Sequence, residues 1–223
     1  MSTKLSAGAF WAYSSVRIWC CICLAAGALL AWDGRYTMNP DGLSYLDMAS
    51  ETARGDSPNP LGNLVNGYWS PLYPAIVGIA LWLVRPSAEQ EFPLVHAVNL
   101  VIFASVLLSF LFFLKASLDR RGSRRHPELG NESGAKYWLP LAFVLFLWST
   151  TQLIPLALVS PDLCVCGCVF WVAGICSELG GSGASWRKYA TLGVRFGPGI
   201  LRQSCHVPDW VPSIGDSVGL ASG

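Results

Sequence analysis

The sequence predicts an all-α fold: a polytopic membrane bundle of about four spanning helices. It also predicts an amphipathic juxtamembrane helix in the first outer loop and an irregular C-terminal tail. The chain is 52% hydrophobic and only 13% charged, whereas a soluble domain carries about 25% charged residues. The apolar residues gather in long runs, which is typical of a polytopic membrane protein. Several of the ten tryptophans stand at the ends of these runs, where an interfacial aromatic belt would place them.

Four apolar runs are predicted to cross the membrane. The first lies near residues 10–32, and we expect it to be retained because it is too long for a signal-peptide core. The others lie near 92–114, 137–159 and 163–179. The run 71–84 has only 14 residues and two prolines, while a span needs about 20 residues. We therefore predict that 71–84 is a second juxtamembrane segment that does not cross.

The positive charges set the predicted orientation. The loop 115–136 holds Lys115, Arg120, Arg121, Arg124, Arg125 and Lys136, and basic loops of this kind face the cytoplasm. If 71–84 crossed the membrane, this loop would fall outside. We therefore expect a cytoplasmic N-terminus and an acidic outer loop at 33–70.

The first outer loop contains the predicted helix 40–54. Asn39 is placed to cap it and Pro40 to occupy its first position. Helical spacing puts two sets of side chains on two faces: Asp41, Tyr45, Met48 and Ala49 on one, and Leu43, Leu46 and Ala53 on the other. Asp41 falls in the first turn, where the helix dipole stabilises a carboxylate. That role alone would explain Asp41, so a catalytic interpretation stays open beside it.

Several familiar chemistries have no motif in this sequence. It contains no Walker loop, no GxGxxG followed by an acid, no HExxH and no GxSxG. The chain has eight cysteines; Cys20, Cys21 and Cys23 lie inside one apolar run, and Cys164, Cys166 and Cys168 inside another. We interpret these as small polarizable side chains of membrane helices rather than as metal ligands or disulfides. His96, alone in an apolar span, is interpreted as a hydrogen-bonded histidine inside the bundle.

At residues 41–73 a resemblance to a known family appears. The order is a first span, the pattern D-G-x-S-Y-x-x-x-A, the stretch NGYWSPLYP and a second span. It resembles the N-terminal third of membrane glycosyltransferases of the GT-C superfamily. The branch most similar includes family 39 protein mannosyltransferases and bacterial transferases of aminoarabinose and other lipid-linked sugars. Asp41, Tyr45 and Ala49 match the first family pattern, and Pro71, Leu72 and Tyr73 the second. Gly42 stands where the family often has a second acid, which weakens any inference of paired carboxylates or a metal.

The resemblance implies a reaction and a set of residues. Such an enzyme transfers a sugar from a polyprenyl-phosphate donor to an acceptor on the outer face of, here, a bacterial inner membrane. Asp41 would be the base, and Asp162, in the second outer loop, would orient the acceptor or help to hold a cation. No cofactor is required, a divalent cation is left open, no metal ligands are assigned and no nucleic acid is expected. The substrate-binding residues would be Arg35 for the donor phosphate, with Tyr45, Tyr68, Trp69 and Tyr73.

The resemblance covers roughly residues 10–193. We therefore predict a membrane domain at 1–193 and an irregular tail at 194–223. We expect the tail to arise from a frameshift or truncation, with a naturally disordered tail as the alternative. Whether the chain is an active enzyme is left open, because four spans would leave a donor cavity unclosed. The alternative function is a small non-catalytic membrane protein that binds lipid or a partner through its outer loop.

Overall fold

The regular structure is helical wherever the chain is described. The computed structural model describes residues 14–55, 70–124, 132–153, 156 and 158–179. The chain divides into two compact units, Met1–Ala184 and Ser185–Gly223, and all described residues belong to the first. The all-α class is confirmed in this part of the chain. The tail 194–223 and the predicted boundary at residue 193 lie outside the described residues.

Six α-helices follow one another in the described residues. They are α1 (Ser14–Asp33), α2 (Pro40–Arg54), α3 (Leu72–Val84), α4 (Glu91–Arg124), α5 (Glu132–Trp148) and α6 (Asp162–Leu179). A short 3-10 turn, Ala88–Gln90, precedes α4, and a π-helical turn, Ser149–Leu153, extends α5. The predicted loop helix 40–54 corresponds to α2, and the doubtful run 71–84 corresponds to α3.

Within the described part of the chain, two helical segments are long and apolar enough to cross a membrane, by length and composition. They are Ser15–Asp33 and Ala88–Arg120. Two further apolar helices in the described residues are shorter, Leu72–Val84 and Trp138–Leu153. The helices also expose large apolar side chains, among them Leu29 at 70%, Val101 at 67% and Leu108 at 61%. Apolar surface of this kind is typical of a face that lipid or a partner covers.

The third predicted span, 137–159, does not stay helical to its predicted end. Helical structure stops at Leu153, and Val159 and Ser160 have irregular backbone. The sequence supplies the reason at Pro155. A proline has no backbone N–H to donate to the helix, and it disfavours the helical conformation in the residue before it.

The centre of the bundle is α4, which packs against α1, α3 and α6. Its Phe110 lies in a cluster of aromatic rings from α4, α5 and α6: Phe103, Phe143, Phe146 and Phe170. Glycines let α6 approach α4 closely, since a Cβ at Gly174 would lie 2.5 Å from the Phe112 ring. The tightly packed core therefore runs along α4.

Candidate functional site

The start of α2 is attached to two distant parts of the chain. The Val159 backbone N–H donates to the Asn39 side-chain oxygen at 3.1 Å. His96, near the N-terminal end of α4, lies with its Nε2 2.9 Å from the Thr37 carbonyl oxygen, which can only accept. The segment before α2, the beginning of α4 and the connection before α6 therefore meet at one end of the bundle.

Asn39 does not cap its helix as predicted. It occupies the N-cap position with an extended backbone, but its side chain makes no capping hydrogen bond. The first helical residue is Pro40, which has no N–H, and the Leu43 N–H donates to the Asn39 backbone carbonyl at 3.1 Å. The side chain is therefore available for Val159, a residue with 0% exposure, whose N–H would otherwise be buried without that acceptor.

His96 is buried, with 1% exposure, in agreement with its interpretation as a histidine inside the bundle. One ring nitrogen, Nε2, is hydrogen-bonded as predicted. The other, Nδ1, has no hydrogen-bond partner among the described residues. Since the Thr37 carbonyl can only accept, Nε2 carries a proton and donates to it. The ring thus holds the connection between α1 and α2 against α4.

The two predicted acids lie near one phenol. Asp41 is in the first turn of α2 and Asp162 is the first residue of α6, and both are exposed. Burial is the main cause that raises the pKa of Tyr45 above its usual value, and the Asp162 and Asp41 carboxylates raise it further. A hydrogen bond with the Ser70 backbone acts in the opposite direction. Both acids therefore lie within electrostatic range of Tyr45, although they belong to different helices.

A series of buried contacts connects Tyr45 to α3, to α4 and to Leu156. The rings of Tyr45 and Tyr73 meet edge to face at 5.4 Å, and the Tyr73 hydroxyl donates to the Asn99 side-chain oxygen at 2.6 Å. Asn99 in turn donates to the Leu156 carbonyl at 3.4 Å. Burial raises the pKa of Tyr73 above its usual value. Both tyrosines were predicted to bind substrate. Their side chains are buried, at 5% and 1% exposure, so they pack inside the protein.

The faces of α2 differ from the predicted ones. The buried side consists of Gly42, Tyr45, Leu46, Met48 and Ala49, whereas Leu43 is 44% exposed. The reason is the close approach of α3. A Cβ at Gly78 would lie 3.2 Å from the Ala49 carbonyl oxygen, so the side of α2 around Ala49 faces α3. Sequence spacing defined an amphipathic helix but not the direction of its neighbour.

The remaining predicted site residues are not brought to the acids by any described contact. The Arg35 guanidinium lies over the rings of Trp32 at 4.1 Å and Tyr36 at 4.7 Å, and it donates to the Trp32 carbonyl. Within the described ranges, its recorded contacts do not include Asp41 or Asp162. Tyr68 and Trp69 lie outside the described residues.

A cleft that the sequence reasoning missed lies at the opposite end of α2. It has a volume of about 550 Å³, and its wall includes Arg54, Leu81, Trp82, Arg85 and Glu91. At a rise of about 1.5 Å per residue, Arg54 lies about 20 Å from Asp41 along the helix. The available signals were two arginines, one at the last residue of α2 and one directly after α3, and the tryptophan near the end of an apolar run. The acids and the cleft are therefore two separate places.

Among the described residues, no group of three or more His, Cys, Asp or Glu side chains is arranged to hold a metal ion. Seven cysteines in those ranges are free thiols.

Comparisons with known proteins gave no relative. No protein-family model, curated protein or solved structure matches the chain. The resemblance to GT-C glycosyltransferases therefore rests on the residues of this sequence alone.

Proposed function

We propose that this chain is a glycosyltransferase of the membrane, transferring a sugar from a polyprenyl-phosphate donor to an acceptor on the outer face. One observation carries the proposal: the Val159 N–H donates to the Asn39 side chain at 3.1 Å, which joins the segments that precede Asp41 and Asp162, and both carboxylates contribute to the raised pKa of Tyr45. Two carboxylates near the buried Tyr45 suit a reaction that needs a base and a second polar group to orient the acceptor. The motif residues around Asp41 supply the reaction class.

The proposal includes four spans, formed by α1, α4, α5 with its π-helical turn, and α6. Helix α3 would stay outside, since about 13 residues extend only about 20 Å, less than the ~30 Å hydrocarbon core. Its contacts support this placement. Tyr73 in its first turn reaches Asn99 in α4, and its C-terminal end is linked by a short connection to Glu91 at the start of the same helix. The N-terminus would then lie in the cytoplasm of a bacterial cell.

In the proposed reaction Asp41 removes the proton from the acceptor hydroxyl. The hydroxyl oxygen then attacks the anomeric carbon of the donor sugar, the bond from that carbon to the phosphate oxygen breaks, and polyprenyl phosphate leaves with the bonding electrons. Because Asp41 is exposed, an acceptor can reach it directly.

The other residues take supporting roles in this scheme. Asp162 would orient the acceptor, and the Tyr45 and Tyr73 rings would hold the acid-bearing segments in place. Arg35, steadied by Trp32 and Tyr36, would meet the donor phosphate. Tyr68 and Trp69 would stack on the sugar or on the prenyl chain.

A second candidate is a non-catalytic membrane protein that binds lipid through its outer loop. The cleft at Arg54 and Arg85 favours it, because that cleft lies about 20 Å from the acids. The two candidates differ in what they require. Sugar transfer needs the Asp41 carboxylate, whereas lipid binding at the cleft does not.

The test compares two exposed aspartates on the same helix. Asp41→Asn keeps the size and polarity of the side chain but removes the proton acceptor, so donor turnover should fall about 10²–10⁴-fold. The matched control is Asp47→Asn, which removes an equal charge about 120° away around α2 and should leave turnover nearly unchanged. The assay follows release of polyprenyl phosphate from a polyprenyl-phosphate sugar in membranes that contain the full chain.

Three results would contradict the proposal. One is near-parental turnover in Asp41→Asn, which would reduce Asp41 to a first-turn charge worth about 0.3–1 kcal/mol of stability. Another is an equal loss in both variants, which would mean that the helix is needed as a whole. The third is no turnover by the parent chain, which would favour the lipid-binding candidate.

A further inference from the structure

The cleft between α2, α3 and the start of α4 carries a net positive charge. The charged side chains in its wall are Arg54, Arg85 and Glu91. Arg54 forms an ion pair with Glu91 at 2.9 Å, which leaves the charge of Arg85 unbalanced within the cleft. No ion pair of Arg85 is recorded among the described residues. The cleft is therefore suited to an anion.

The two arginines provide the donors that a phosphate needs. A guanidinium presents five N–H groups in a planar fork, which matches phosphate oxygens in a bidentate arrangement. The ion pair with Glu91 uses the Nη2 atom of Arg54, and the Arg54 side chain is 62% exposed. A ligand can therefore reach the rest of that guanidinium, while the Glu91 carboxylate, 18% exposed, lies deeper and already has its counter-ion.

Arg85 occupies an unusual backbone position at the end of α3. Its φ and ψ are 50° and 57°, in the left-handed region, and its N–H donates to the Leu81 carbonyl at 2.8 Å. Glycine or asparagine usually ends a helix in this way. An arginine at this position turns the chain towards α4 and keeps a guanidinium at the cleft.

An apolar surface adjoins the cleft along α3. Ile79, Trp82, Leu83 and Val84 are 57–66% exposed, and Trp82 also forms part of the cleft wall. A tryptophan near the end of an apolar helix is typical of the membrane–water interface. A cationic cleft beside an exposed apolar face fits a molecule that has an anionic phosphate and hydrocarbon chains.

We propose that this cleft binds the phosphate of an anionic phospholipid headgroup, with the acyl chains along the exposed face of α3. The site is separate from the proposed catalytic acids, because about 20 Å of α2 lies between Arg54 and Asp41. It would anchor the outer-loop helices to the membrane surface. It does not depend on whether the chain transfers a sugar.

The test measures binding of dioleoylphosphatidylglycerol to the purified full chain in non-ionic detergent by native mass spectrometry. Arg85→Asn removes the charge with a residue that tolerates the left-handed backbone, and it should weaken binding about tenfold or more. Arg85→Lys keeps the charge and should lose less. The control Lys115→Gln removes a positive charge near the other end of α4, about 36 Å from Glu91, and should leave binding unchanged.

Further arms separate the possible ligands. Dioleoylphosphatidylcholine, which has no net charge, should bind more weakly than phosphatidylglycerol, and Arg54→Gln should also weaken phosphatidylglycerol binding. Equal affinity for the two lipids, or equal effects of Arg85→Asn and Lys115→Gln, would overturn the proposal. Displacement of phosphatidylglycerol by inorganic phosphate at the same concentration would overturn the assignment to a lipid, because free phosphate lacks the acyl chains.

Discussion

The hydrogen bond between Asn39 and Val159 predicts a specific loss of stability. Asn39→Ala removes the acceptor and leaves the Val159 N–H, in a residue of 0% exposure, without its partner at 3.1 Å. Leaving a buried donor unsatisfied costs about 1–3 kcal/mol. For a chain of this size, each kcal/mol corresponds to a shift of roughly 2–4 °C in Tm. We therefore expect Tm to fall by about 2–12 °C.

The measurement is thermal unfolding of the full chain in detergent, followed by circular dichroism. Asn39→Ser separates this contact from helix capping. Serine is as good an N-cap as asparagine, but its shorter side chain cannot reach Val159 from the same backbone position. If the contact matters, Asn39→Ser should destabilise the chain nearly as much as Asn39→Ala. The background control Ser50→Ala removes an exposed hydrogen bond on the same helix and should change stability by less than about 0.5 kcal/mol.

Full stability in Asn39→Ser would refute this reasoning, because the helix cap would then explain the effect of alanine. Unchanged stability in both Asn39 variants would refute it more directly. In that case the segments that precede α2 and α6 would not be joined through Asn39. The proposed function would also lose the contact that holds its two acids near each other.

Two further predictions concern the contacts beneath the acids. Gly78→Leu should destabilise the chain by about 1–3 kcal/mol through overpacking, because a Cβ at this position already lies 3.2 Å from the Ala49 carbonyl; the exposed neighbour change Ile79→Leu should be nearly neutral in the same unfolding measurement. Tyr73→Phe should cost about 1–3 kcal/mol, since it deprives the buried Asn99 oxygen of its donor. The folded-state pKa values of Tyr45 and Tyr73 are raised, so the unfolded tyrosines, with a pKa near 10, ionise first. Their contribution to stability should be constant below about pH 10 and decrease above it, and Tyr73→Phe should make this alkaline decrease smaller; an unchanged alkaline slope would contradict the contribution of Tyr73.

The sequence predicted a helix at residues 40–54, and the structure has one at Pro40–Arg54; the reasons are local. Pro40 after Asn39 and the helical spacing that follows define the start of α2, and Gly55, which ends it in a left-handed conformation, is a common stop signal. The run 71–84 is shorter than the roughly 20 residues that a membrane span needs, and α3 is among the shorter apolar helices. Such features depend on a few neighbouring residues, so they can be inferred without knowing what packs nearby.

The contacts between elements could not be predicted in the same way. Nothing next to Asn39 in sequence indicates that its side chain meets Val159, which is 120 residues away. The exposure of Leu43 likewise follows from the direction in which α3 approaches, at Gly78. The cleft was missed because its wall comes from α2, α3 and α4 together, and its two arginines, Arg54 and Arg85, are far apart in the sequence. Side-chain partners across elements require the packed arrangement itself.

The contacts at the two ends of α2 differ in strength, which bears on how the two proposed sites would work. At its start, the Asn39 side chain accepts a hydrogen bond from the buried Val159. Two residues earlier, the Thr37 carbonyl accepts one from the buried His96. At its end, the ion pair of Arg54 with Glu91 is largely exposed on the arginine side, and exposed pairs contribute only about 0–1 kcal/mol. Local opening should therefore require more free energy at the Asp41 end than at the Arg54 end. A proton acceptor benefits from a fixed position, whereas a cleft for lipid headgroups has to admit ligands whose chains vary. The distribution of contacts along α2 thus suits a rigid site at its N-terminus and an adaptable one at its C-terminus.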